Sequence, residues 1–234
     1  MENELLDDDL ILNEGENNFS KFNLRENNER AKWAMTLIWV VLGVELIALL
    51  SSYMQLDLLN AYANGEYVED SAADANDLRE QLIGIVYLAL YITSAVTFIR
   101  WFRRAYYNLH TIESNLSYPE SAAASTWFIP FLNLFRPFQI MRELYNRTNE
   151  IIKDKTDINL QQNSIGIWWF LWVVSGVFGQ IIFRVSRDAE TIDELTTMTQ
   201  LSMVDSAITI PLAILAVKVI KDYNKAEKVL RPEL

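Results

Sequence analysis

Cysteine is missing from this sequence, and histidine and glycine are scarce. The 234 residues include no cysteine, one histidine and seven glycines. Without cysteine the chain has no disulfide, no thiol nucleophile and no thiolate metal ligand, and one histidine excludes the paired-histidine motifs of zinc enzymes. Neither a glycine-rich phosphate loop nor a nucleophile elbow is present. We therefore expect no enzyme activity, no metal, no cofactor, and a solvated surface position for His110.

Charge is missing from long stretches of the chain, which is typical of membrane proteins. Residues 82–99 and 165–183 carry no charged side chain, and residues 33–54 carry one, Glu45. A helix of about 20 apolar residues crosses the hydrocarbon core of a bilayer, which is about 30 Å thick. Each of these three stretches therefore predicts a transmembrane helix.

A fourth apolar stretch is weaker. Residues 206–217 are uncharged but short, and they include Pro211. The stretch reaches spanning length if Lys218 extends its ammonium group to the membrane interface. The predicted fold is thus all-α, an integral membrane bundle of four transmembrane helices. The predicted spans are about 33–54, 82–102, 165–185 and 201–220.

The segments outside the spans are acidic at two places. Residues 1–20 contain too few apolar side chains to offset the entropy of ordering, so we predict a disordered acidic N-terminal tail there. A short docking motif around Asp7–Asp9 is the alternative. The four-span membrane domain is then 21–234. Residues 55–81 are also acidic, and Asn64-Gly65 predicts a turn between two helical extensions outside the membrane.

The lysine and arginine residues indicate the orientation. With four spans and both termini in the cytoplasm, 17 of the 20 basic residues lie on the cytoplasmic side. A fifth crossing through residues 121–141 would divide them almost equally, with nine inside and ten outside. Because basic residues accumulate on the cytoplasmic side of membrane proteins, we predict four spans with cytoplasmic N and C termini.

Residues 121–150, which we call the elbow, are apolar but interrupted by two prolines. Residues 121–141 contain one charged side chain, Arg136, while Pro130 and Pro137 break helical hydrogen bonding. Because irregular backbone at membrane depth needs cover from protein or water, we expect a cytoplasmic interfacial elbow. An amphipathic helix beginning at Pro137 would then run along the membrane surface. Its apolar face is expected to contain Phe138, Met141, Leu144 and Tyr145.

Polar residues within the spans are the candidates for a functional site. A charge at the bilayer centre costs about 2.5–3.5 kcal/mol on the lenient insertion scale. Glu45 and Gln180 are expected at similar depth, and Arg184 and Asp205 nearer the outer boundary. We expect Glu45 to meet Gln180 or Arg184. Asp205 is the expected second partner of the arginine. A structural polar contact, a proton or ion pathway, and a protonated Glu45 are the alternative interpretations.

Three strings of residues resemble a known family. They are Arg100 to Leu109, Trp127 to Pro137, and Met141 to Leu144. The most specific is the Trp-Phe-x-Pro-x-x-Asn-x-x-x-Pro pattern in the second string. Over about residues 30–225 the chain resembles domain-of-unknown-function family 4328, a group of bacterial multi-span membrane proteins. The resemblance implies a protein of the bacterial cytoplasmic (inner) membrane and carries no activity with it. Its signature residues in the elbow are Trp127, Pro130, Asn133, Arg136 and Pro137.

The function that these features favour is structural. Asn133 and Arg136 are expected to tie the elbow to the inner ends of spans two and three or to lipid phosphate, with a ligand site as the alternative. We expect a non-enzymatic scaffold or accessory subunit of an envelope complex, and the alternative is a small transporter or channel that uses the intramembrane polar residues. The expected partners are the lipid bilayer and either another protein or a second copy of the chain. Nucleic acid is not expected, because the basic residues beside span two alternate with membrane-anchoring aromatic residues.

Overall fold

The computed structural model describes residues 23–231, so the predicted acidic tail at 1–20 lies outside the described residues. Within residues 23–231 the regular structure is entirely helical. The all-α prediction is thereby confirmed for this part of the chain. The helices are α1 (Asn28–Ala63), α2 (Asp70–Ile112), α3 (Ala122–Ser125), a 3-10 helix (Leu132–Leu134), α4 (Arg136–Ile152), α5 (Gln162–Asp188) and α6 (Ile192–Val229).

Four of these helices, α1, α2, α5 and α6, are long and apolar enough to cross a membrane, and each contains one predicted span. They are also longer than a bilayer requires. Helix α2 has 43 residues, which at about 1.5 Å per residue is about 65 Å, whereas the hydrocarbon core is about 30 Å thick. The chain is therefore a multi-pass membrane protein whose helices continue beyond the spanning segments.

Helix α6 continues through Pro211, although this proline was expected to weaken the fourth span. The 38 residues form one α-helix with the proline in its interior. A proline removes one backbone hydrogen bond, but transmembrane helices tolerate this where neighbouring groups satisfy the freed carbonyl. The weakest predicted span, 201–220, thus lies entirely within a continuous helix.

The predicted turn between the first two spans is confirmed. Gly65 has a φ of 73° and donates its N–H to the carbonyl of Tyr62 over 3.0 Å. Further along, Arg79 donates from Nε to Ser51 Oγ over 2.7 Å. Ser51 in turn donates to Glu80 Oε1 over 2.5 Å. These hydrogen bonds connect α1 to α2 on the two sides of the turn in the sequence.

The described chain divides into two compact units. The first contains the residues up to Lys32, Phe98–Ile165, and the residues from Val219 onward. The second contains Trp33–Thr97 and Gly166–Lys218, which hold most of the apolar length of the four long helices. Since each candidate span carries many exposed apolar side chains, the surface of the second unit suits contact with lipid.

The first unit has a core of aromatic and aliphatic side chains to which α4 contributes one face. Met141, Leu144 and Tyr145 of the predicted apolar face are buried, and Phe138 is half-buried. The Tyr145 hydroxyl donates to the Val219 carbonyl of α6 over 2.8 Å. Much of this face of α4 is therefore covered by protein.

Candidate functional site

Glu45 is buried in the second unit, with 7% of its surface exposed. The Ser206 hydroxyl donates to its Oε1 over 2.6 Å, and the Tyr87 phenol lies beside the same carboxyl group. Helices α1, α2 and α6 thus surround this side chain with polar groups. Since burial of a carboxyl group in an apolar environment is costly unless it is hydrogen-bonded, these contacts make its position within the span possible.

Asp205 is a predicted site residue that the structure places within electrostatic reach of Glu45. The two carboxyl groups are near enough to repel each other electrostatically, and the Ser175 hydroxyl is a further polar neighbour of Asp205. Its Oδ1 atom is buried and has no hydrogen-bond partner within the described part of the chain. Gln180 and Arg184 instead have exposed side chains on α5. A contact between Glu45 and either of these residues stays a prediction.

The chemistry available to this polar cluster, which we define as Glu45, Tyr87, Asp205 and Ser206, is proton exchange. A proton bound by one of two neighbouring carboxyl groups removes the electrostatic repulsion between them. Among residues 23–231, no group of three or more histidine, cysteine, aspartate or glutamate residues is arranged to hold a metal ion.

The backbone of the elbow makes an abrupt turn at Phe131. Its φ of 65° is the one positive value among the described residues other than glycine. The N–H of Leu132 donates to the carbonyl of Pro130 over 2.8 Å, which closes a three-residue γ-turn around Phe131. A residue other than glycine that has this φ carries about 1–3 kcal/mol of backbone strain, and such strain is often found at functional sites.

The turn presents a group of apolar side chains, residues 128–135, which we call the elbow tip. Phe128 and Phe131 expose 75% and 79% of their surface. Exposed contiguous apolar side chains mark sites of contact with a protein or a membrane. Three further large apolar residues of the tip are exposed, namely Ile129, Leu134 and Phe135.

The base of the elbow is fixed by ring contacts and hydrogen bonds. Trp127 meets Phe98 edge to face at 5.7 Å between ring centroids, and its Nε1 donates to the Ala123 carbonyl over 3.1 Å. The Arg136 guanidinium lies 4.6 Å from the ring centroid of Tyr118. Pro137 is buried in the first turn of α4, and Asn133 is half-buried. The signature residues therefore lie around the turn, where they hold its shape.

A second polar group, which sequence reasoning missed, holds the segment before the elbow. Tyr106 donates to Glu143 Oε2 over 2.7 Å, and the N–H of Ser117 donates to Oε1 over 2.8 Å. Burial raises the pKa of Glu143, but these hydrogen bonds outweigh it and hold the pKa below its ordinary value of 4.5. His110 is half-buried here, with Nε2 2.9 Å from the Tyr118 carbonyl, so its predicted solvated position is wrong.

A third polar group is centred on Glu227, which is 1% exposed. Its Oε2 accepts from Asn27 Nδ2 over 2.9 Å, and its Oε1 accepts from Asn108 Nδ2 over 2.7 Å. The three side chains join the segment before α1 to α2 and α6. No single residue signals this contact in the sequence, because the partners are separated by 200 and 119 positions.

The Glu143 contacts predict a stability change that depends on pH. Tyr106→Phe removes a hydrogen bond to a carboxylate, and at pH 7 we expect it to lower the free energy of unfolding by roughly 1–2 kcal/mol. A lowered folded-state pKa contributes stability above the unfolded value, and this contribution is lost as the pH falls through the folded value. The difference from wild type should therefore shrink between pH 5 and pH 3, as measured by unfolding in detergent micelles. Tyr107→Phe is the control, and an equal deficit at both pH values would contradict this role of Glu143.

The comparisons with known proteins point to a family. The model of the family described as Domain of unknown function (DUF4328) matches residues 64–225. No curated protein and no solved structure matches the chain. The match includes all of the elbow and the last three predicted spans, 82–102, 165–185 and 201–220, and it agrees with the resemblance of the elbow signature. Since it covers more than half of the sequence, the chain belongs to the DUF4328 family.

Proposed function

We propose that this protein is a non-enzymatic scaffold or accessory subunit of a complex in the bacterial cytoplasmic membrane. The observation that carries the proposal is the elbow tip, an exposed group of aromatic and aliphatic side chains on a fixed base. The tip is apolar and exposed, and ring contacts and hydrogen bonds hold its base, which suits a binding surface. Hydrogen bonds to neighbouring groups occupy Glu143 and Glu227. A partner with an apolar transmembrane or interfacial helix would match this surface.

The orientation that we propose puts both termini and the elbow on the cytoplasmic side. It is supported by the distribution of 17 of the 20 basic residues. In this arrangement the elbow tip faces the inner leaflet, where the basic residues that follow span two meet anionic lipid.

Single cysteines test the orientation directly, since the chain has no cysteine of its own. Asn64 and Ser114 are exposed positions on opposite sides of the second span. We expect a membrane-impermeant maleimide to label Asn64→Cys in intact spheroplasts, and Ser114→Cys only after permeabilisation. The reverse pattern would invert the orientation, and labelling of both in intact cells would contradict the four-span arrangement.

Crosslinking from the elbow tip tests the scaffold role. A photoreactive amino acid replacing Phe131 should give, in living cells, a crosslinked protein adduct of one defined mass. The same substitution at Tyr67, which is 92% exposed in the segment between α1 and α2, is the matched control and should not give that adduct. Phe128→Ser, combined with the probe at 131, should reduce the adduct at least fivefold. Adducts with lipid alone would assign the tip to membrane anchoring and remove the main support for a scaffold.

A small transporter or channel is the second candidate, and the polar cluster favours it. Glu45 and Asp205 are close together within the apolar length of α1 and α6, and ionisable residues within membrane spans commonly mark ion or proton pathways. A shared proton that passes between the two carboxyl groups is the simplest transport step that this arrangement offers.

Flux measurements distinguish the second candidate from the first. If the protein transports protons, the interior of liposomes containing the wild type should acidify or alkalinise under an imposed potential, and Glu45→Gln should reduce the rate at least tenfold. Asp57→Asn removes an exposed carboxylate from the same helix and should leave the rate unchanged. Wild-type liposomes with no flux above empty ones would exclude this candidate.

A further inference from the structure

Four arginines from two helices lie close together in the first unit, and we call Arg30, Arg100, Arg103 and Arg104 the arginine cluster. Arg30 is half-buried, and its Nη1 donates to the backbone carbonyl of Arg100 over 3.2 Å. This bond holds the start of α1 beside the turn of α2 that carries the other three. Each of those three guanidinium groups repels Arg30 electrostatically.

The chain before α1 is fixed beside the cluster. The N–H of Arg25 donates to Asn108 Oδ1 over 3.0 Å, and Asn108 Nδ2 donates to the Arg25 carbonyl over 2.8 Å. The Arg25 guanidinium then lies 4.3 Å from the ring centroid of Tyr107, and that of Arg104 lies 5.9 Å from the same centroid. Hydrogen bonds from the Asn108 side chain to the Arg25 backbone thus hold a further cation at this surface.

In the part of the chain that the structure describes, most of the arginine cluster has no acidic partner. Arg103 pairs with Glu120, with Nε 2.9 Å from Oε1. Within residues 23–231, the ion pairs include none between Arg30, Arg100 or Arg104 and a carboxylate. Cations held together without a counter-ion repel each other, and an anion bound between them removes that repulsion. The surface is therefore built to accept negative charge.

We propose that Arg30, Arg100 and Arg104 bind the phosphate of an anionic phospholipid headgroup. In the sequence Arg30 comes three residues before the apolar stretch that starts at Trp33, and Arg100 directly follows the uncharged stretch 82–99. Basic residues in these positions lie at the level of the headgroups. A planar guanidinium donates two parallel hydrogen bonds to a phosphate, and the level of the headgroups is where phospholipid phosphates lie, so converging arginines there suit an anionic phospholipid better than a neutral one. The site does not depend on the partner proposed for the elbow tip.

The test uses the full chain, purified in a neutral detergent and titrated with phosphatidylglycerol, phosphatidylcholine or inorganic phosphate. Native mass spectrometry should show one phosphatidylglycerol retained at concentrations where phosphatidylcholine is lost, and the same lipid should raise the melting temperature. Arg100→Gln and Arg104→Gln should each weaken retention about tenfold, which is the effect of losing one charge-assisted hydrogen bond. Arg100→Gln leaves the carbonyl that binds Arg30 in place, so folding is preserved.

Arg142→Gln is the matched control, because it removes one exposed positive charge from α4. It should bind phosphatidylglycerol within twofold of the wild type. Equal retention by the wild type and both cluster variants would overturn the site. If Arg142→Gln lost as much phosphatidylglycerol retention as Arg100→Gln and Arg104→Gln, the binding would be non-specific charge attraction and not a site at the arginine cluster. If inorganic phosphate alone gives the same rise in melting temperature, the ligand is a soluble phosphate, and the assignment to lipid is wrong.

Discussion

The buried carboxylate of Glu227 is the contact on which the arrangement of the first unit depends. A carboxylate that loses contact with water is stable only when its oxygens accept hydrogen bonds, and Asn27 and Asn108 supply one to each oxygen. The two amides come from the segment before α1 and from the end of α2. Removing the carboxyl group would leave both amides without this acceptor in a buried site, and removing an amide would leave one buried carboxyl oxygen without its donor. The contact thus fixes the positions of the segment before α1, the end of α2 and the end of α6 relative to one another.

That position determines what the surface of the first unit presents. Asn108, which donates to Glu227, also hydrogen-bonds to the backbone of Arg25 through its side-chain oxygen and nitrogen. The same side chain therefore completes the buried network and holds the Arg25 guanidinium beside Tyr107. On the other side of α2, Tyr106 holds Glu143 and thereby the segment that leads into the elbow. Two residues of one helix, Asn108 and Tyr106, therefore hold separately the Arg25 segment beside the arginine cluster and the segment before the elbow.

The parts of this structure that follow from local chemistry could be predicted from the sequence. Three stretches of spanning length with at most one charge, together with a shorter fourth stretch, predicted four helices. Asn64-Gly65 predicted a turn, and the spacing of Met141, Leu144 and Tyr145 predicted that they share one apolar face of a helix. Depth along a helix is likewise set by sequence position. The direction in which a side chain points around the helix depends on how the helices pack. Counting residues along a helix gives the depth of a side chain in the membrane but not this direction. For this reason Glu45 and Asp205 lie together while Gln180 and Arg184 are exposed, and for the same reason the network of Glu227 could not be predicted.

Phe131 shows why the elbow needs both of its prolines. A residue with a Cβ atom adopts a positive φ only when its surroundings exclude the alternatives, because the strain of about 1–3 kcal/mol must be offset elsewhere. Pro130 fixes its own φ just before the turn, and Pro137 starts α4 from a buried position, so the six residues between them have a limited choice of paths. Glycine at 131 would adopt this φ without strain, but it would remove the most exposed ring of the tip. A phenylalanine at the strained position is therefore best explained by the surface that it presents rather than by the turn that it makes.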